Sequence, residues 1–103
     1  MKYIPVTVAR LYLSEGDHRL DALVRRLHDQ QRVRGVTVFR GISGFGPSGR
    51  IHESHLLDLS LDLPLVVEFF DSPQRVATIL DDLQDLIPSG HAIVWDARMN
   101  ATD

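Results

Sequence analysis

Two stretches of helical spacing lie between runs that read as strands, and that order is the strongest constraint on the fold. In the first stretch Leu20, Leu23, Val24 and Leu27 recur at i, i+3, i+4 and i+7, which places them on one helical face. Asp17 is placed to cap this helix, which should end before Gly35. In the second stretch Ser72 is the expected cap and Pro73 falls in the first turn, where its missing N–H costs nothing. Val76, Ile79, Leu80, Leu83 and Ile87 supply its buried face, and Pro88-Ser89-Gly90 should stop it. Around the helices, Val6–Leu13, Val36–Ile42, Leu65–Phe70 and Ala92–Trp95 are rich in β-branched and aromatic residues and read as strands. The order β-α-β-β-α-β predicts an α+β, ferredoxin-like sandwich, with an antiparallel four-stranded sheet covered by both helices on one face.

That arrangement leaves apolar surface without a cover. A chain of 103 residues has room for a single domain, 1–103, and a domain of this size buries only a moderate share of its surface. Val8, Tyr12, Val38, Val66 and Phe70 suggest strands that are apolar on both sides, yet two helices can shield only one. Burial against further copies of the chain resolves the conflict, so a homo-oligomer is expected. The net charge of −3 gives no general attraction to nucleic acid. With no cysteine, disulfides, thiolate metal sites and cysteine nucleophiles are excluded. Met1–Pro5 lacks the pattern of a signal peptide and no apolar run reaches membrane-spanning length, so a cytoplasmic protein without direct membrane insertion is expected.

The chemistry concentrates in Val36–His52, VTVFRGISGFGPSGRIH, where an arginine, glycines and a proline follow a strand. Glycines allow tight turns and bring backbone N–H groups close to an anion, while arginine offers a rigid fork of donors to phosphate or carboxylate. Gly44-Phe45-Gly46-Pro47-Ser48-Gly49 formally matches G-x-G-x-x-G. That fingerprint must open a helix that receives a pyrophosphate, whereas here Leu57, Leu59, Leu61 and Leu63 alternate with polar residues in an extended pattern. The segment is either a hairpin connection or an anion-binding nest. Arg40 and Arg50 flank it and either face one ligand or pair with Glu53 and Asp58. His52 is placed to bond a ligand phosphate, but His52 and His55, three apart on an extended strand, point to opposite faces and do not converge on a metal. No local motif marks an activated nucleophile, and the reading is of a binding protein rather than an enzyme.

Thr37-Val38-Phe39-Arg40-Gly41, Gly44-Phe45-Gly46, Arg50-Ile51-His52 and Asp62-Leu63-Pro64 together resemble the PII-like family called domain of unknown function 190, related to the nitrogen regulatory protein PII. The likeness runs from Leu11 to Trp95. It implies a homotrimer of ferredoxin-like subunits whose sheets face the threefold axis, with an adenine nucleotide or other small anionic metabolite bound in clefts between subunits. It also implies that the loop after the second strand, around Pro47 to Glu53, contacts a transporter, enzyme or regulator. Carried over by position, Gly44, Phe45 and Gly46 form part of the cleft wall; Arg40, Arg50 and His52 are the expected phosphate contacts, with Gly41 beside them and Arg98 from a neighbouring chain. Pro47 and Ser48 stand where the PII loop carries a basic residue and a glutamine, which argues against carrying over Mg²⁺-ATP and 2-oxoglutarate. The alternatives are a metal-handling trimer similar to the CutA proteins and an enzyme using the same cleft.

Overall fold

A computed structural model describes residues 1–14, 16, 18–45, 52, 53 and 63–101. The chain forms β1 (Lys2–Ser14), α1 (Leu20–Arg25) with a π-helical continuation (Arg26–Gln31), β2 (Gly35–Arg40), β3 (Ser43–Gly44), β4 (His52–Glu53), β5 (Pro64–Asp71), α2 (Pro73–Asp82) and β6 (Ala92–Ala101). The main sheet runs β2-β5-β1-β6 and all its pairs are antiparallel, so the expected ferredoxin-like topology is present. β3 and β4 form a separate two-stranded ribbon in the connection between β2 and β5.

Alternation along β5 sets the orientation of the whole sheet. Leu65, Val67, Phe69 and Asp71 are buried, whereas Pro64, Val66, Glu68 and Phe70 are half-buried on the other side. Ala9, Leu11 and Leu13 of β1 join the buried row, and Leu23 and Leu27 from the first helix and Val76, Ile79 and Leu83 from the second close over it. This is the core, and both helices sit on it.

The turn from β5 into α2 forms as its residues dictate. Ser72 Oγ accepts from the backbone N–H of Arg75 at 3.3 Å, and Pro73 occupies the first turn. Asp71, buried at the strand end, accepts from the Ser72 N–H at 2.8 Å and pairs with Arg75 Nε at 3.1 Å, so a carboxylate that would be costly alone is satisfied from two sides.

Several boundaries differ from the sequence reading. The cap position of α1 is Arg19 and carries no side-chain capping bond, while Asp17 lies outside the described residues. Regular α2 ends at Asp82 instead of continuing to Pro88, because the following N–H groups turn to nearer carbonyls, such as Leu86 N–H to Leu83 O at 2.8 Å. Leu86 and Ile87 still pack on the core. β2 stops at Arg40, and the next N–H, of Gly41, bonds to Pro64 O at 2.7 Å. β6 runs six residues beyond Trp95, to Ala101, because Lys2–Leu11 of β1 pairs with it throughout. Of the alternating leucines, Leu63 is buried, and 57–61 lie outside the described residues.

Removing the aromatic centre of the core tests this packing. Phe69→Ala should lower the unfolding free energy by about 3–5 kcal/mol, read from the midpoint shift in urea.

Candidate functional site

The sheet face away from the helices carries the second apolar surface. Direct cross-strand partners lie on the same face, so the register groups its side chains into three rows. Phe39, Val66 and Tyr12 form one, Thr37, Glu68, Arg10 and Ile93 the next, and Gly35, Phe70, Val8 and Trp95 the third. A Cβ at Gly35 would lie 2.8 Å from Phe70 Cε1, so the ring extends over a position where glycine alone leaves room. Phe39, Ile93 and Trp95 are 47%, 52% and 41% exposed, which marks this face as bare. Val38 is on the helix side, opposite buried Val67, and is exposed because it lies on the edge strand.

A charged stripe crosses the centre of this face. Arg10 donates to Glu68 Oε1 from Nη2 at 2.8 Å and from Nε at 3.1 Å, and its guanidinium lies 5.6 Å from the centroid of the Trp95 ring. The hydrogen bond to Glu68, followed by one to Tyr12, raises the Arg10 pKa above the usual arginine value, so the cation persists throughout the working pH range.

The glycine-rich connection begins where β2 meets β5. A Cβ at Gly41 would lie 2.6 Å from Pro64 Cγ and one at Gly44 3.2 Å from the same atom, so both glycines are packed against the proline ring. Ser43 and Gly44 pair with Glu53 and His52, which brings the His52 backbone opposite Gly44. Arg40 ends β2, and Phe45 is 74% exposed. Gly46 and Arg50 lie outside the described residues. The fold thus gathers Arg40, Gly41, Gly44, Phe45 and the His52 backbone at one end of the sheet.

Arg98 is not gathered with them in one chain. The row through Arg40 and Leu65 meets β1 at Leu13, whereas Arg98 pairs with Pro5. Eight residues of extended strand separate these positions, about 27 Å. Arg98 instead lies 5.3 Å from the Tyr3 ring centroid, so it can reach this end of the sheet only in another copy.

Sequence reading missed Arg10, Glu68 and Trp95, although an arginine and a glutamate inside apolar strands were a visible signal. His91 Nδ1 lies 2.7 Å from the Tyr12 carbonyl, which can only accept, so this nitrogen is the donor. Among the described residues no group of three His, Asp or Glu side chains is arranged to hold a metal ion. Among them, too, no helix is long and apolar enough to cross a membrane.

A four-stranded antiparallel sheet with two helices on one side and a glycine-lined connection after the second strand give a ferredoxin-like fold of the PII-like type. Its family can be stated directly. The DUF190 model, described as Uncharacterized ACR, matches residues 6–99, and the chain belongs to that family. A UPF0166 protein of Aquifex aeolicus is 33% identical over 89 residues, covering 82% of this chain and 84% of its own. A UPF0166 protein of Methanocaldococcus jannaschii is 27% identical over 95 residues, covering 88% and 87%. Among solved structures, the PII-like protein CPII from Thiomonas intermedia K12, bound to ADP and bicarbonate, superposes with a TM-score of 0.71 at 23% identity, covering 95% of this chain and 91% of that one.

The packing of Gly41 gives a direct test of the connection's geometry. Gly41→Ala must displace the Pro64 ring and should cost about 1–3 kcal/mol, measured by chemical denaturation.

Proposed function

We propose that this protein is a PII-like regulator: a homotrimer that binds an adenine nucleotide in the clefts between subunits and passes the signal to a protein partner through the loop around Pro47 to Glu53. The observation that carries the reading is the bare sheet face. Its apolar rows, led by Val8, Phe39, Val66, Phe70, Ile93 and Trp95, need a cover that the two helices do not supply. Further copies of the same chain provide it and create clefts at their boundaries.

The ligand assignment rests on chemistry at the end of β2. Gly44 and Gly46, next to Gly41 at the strand end, permit close backbone approach to an anion, with Phe45 as part of the cleft wall. Arg40, Arg50 and His52 are the contacts proposed for phosphate, and Arg98 enters from the neighbouring subunit. That separation between Arg98 and Arg40 suits a site built from two chains. The likeness to CPII, solved with ADP and bicarbonate, supports a nucleotide of this class. The protein acts by differential binding to two loop conformations rather than by catalysis. A cytoplasmic location and a transporter, enzyme or regulator as partner belong to the same proposal.

Two measurements test it. In light scattering the protein should have three times the chain mass of 11.6 kDa, and Trp95→Glu should reduce it to the mass of one chain. In isothermal titration against AMP, ADP and ATP, with and without Mg²⁺, one nucleotide should bind saturably and Arg40→Ala should weaken it by about tenfold, or about 1.4 kcal/mol, with the trimer intact. A monomeric wild-type protein, or no binding across the series, contradicts the reading.

A further inference from the structure

The charged stripe on the bare sheet face is left open toward the outside of the chain. Arg10 directs both Nη2 and Nε to the same oxygen of Glu68, Oε1. Among the described residues no hydrogen bond reaches the other oxygen, Oε2. A carboxylate accepts at both oxygens, so half of this one is unused within the chain. Arginine is likewise under-used: a further bond goes to Tyr12, and donors remain on a guanidinium that carries five N–H groups. The side chains of Arg10 and Glu68 are 39% and 27% exposed, so both are within reach of an incoming surface.

The pair also stands at the centre of that face. β5 and β1 are the two inner strands of the sheet, and their register sets Glu68 opposite Arg10. Where sheets meet face to face around an axis, inner strands lie nearest the axis and the edge strands β2 and β6 nearest the boundaries. The rows on either side are apolar, with Val66 and Tyr12 on one and Phe70, Val8 and Trp95 on the other. Apolar contact is non-directional and tolerates several alignments. A desolvated charge left without its partner does not.

A second copy is the occupant that this pattern fits. It presents a guanidinium with spare donors and a carboxylate with an open oxygen, so each copy meets the need of the other. A purely acidic surface would repel Glu68, and a purely basic one would repel Arg10.

We propose that Arg10 and Glu68 are the specificity element of self-assembly, an inference that rests on the homotrimer reading above. Arg10 of one copy donates to Oε2 of a neighbouring copy's Glu68, closing a ring in which the two charges alternate around the axis. The pair selects which chains join and in which alignment, while the apolar rows supply the affinity.

Co-expression of two chains tests it. The charge-swapped chain Arg10→Glu/Glu68→Arg keeps an ion pair within each copy, so alone it should form particles of three chains. Beside a wild-type copy it sets Glu against Glu and Arg against Arg. A hexahistidine tag on the swapped chain separates the masses in native mass spectrometry. Wild-type and swapped chains should then sort into separate trimers, with mixed particles at least about tenfold below random mixing, or about 1.4 kcal/mol. A second pair of variants decides the matter where the swapped chain does not assemble: Arg10→Glu and Glu68→Arg should each be single chains alone and form mixed trimers together. Random mixing of wild-type with swapped chains, or no mixed trimers from the single reversals, overturns the proposal. A wild-type monomer would overturn the trimer reading and this proposal with it, whereas a wild-type trimer that mixes at random overturns this proposal alone.

Discussion

The arrangement depends on a mismatch between a sheet with two apolar faces and two helices that cover only one. β5 shows it most plainly: Leu65, Val67 and Phe69 enter the core, while the intervening Val66 and Phe70 face away from it. A period of two sends every second side chain to the side away from the helices. The core stabilises the chain, and the opposite face is the one that the proposed assembly covers.

Arg10 and Glu68 refine that second role. Placed between two apolar rows and beneath Trp95, the pair would be poorly suited to a face that associates indiscriminately. Once desolvated, such a pair contributes little net stability but penalises arrangements that leave either charge alone. The glycines act at a different level. Gly35 accommodates the ring of Phe70, and Gly41 and Gly44 accommodate Pro64, so close packing explains all three without any bound ligand. Gly35 opens β2, whereas Gly41 and Gly44 follow its end, where the connection to β5 begins.

Much of this was legible in the sequence. The helical stripes, the Ser72-Pro73 start and the β-branched runs gave the element order because each depends on local spacing and backbone chemistry. Boundaries were less legible. The extension of β6 to Ala101 depends on pairing with Lys2–Thr7, 89 to 99 positions away, and Asp96, Arg98 and Asn100 interrupt its apolar pattern on an edge strand. The site was legible as a composition and not as an assembly. Arg40, Gly41 and Gly44 fall together as their adjacency suggested, but the distance from Arg40 to Arg98 follows only from strand register. The Arg10–Glu68 contact links residues 58 positions apart and likewise requires the register of β1 on β5.

Native mass spectrometry of the protein with ADP tests the central claim most directly, since it reads subunit number and bound ligand in the same ion. The account predicts three chains per particle, with up to three nucleotides retained on the trimer and none on the dissociated subunit. Nucleotide carried by single chains, or a trimer that never retains it, would contradict a site built between subunits.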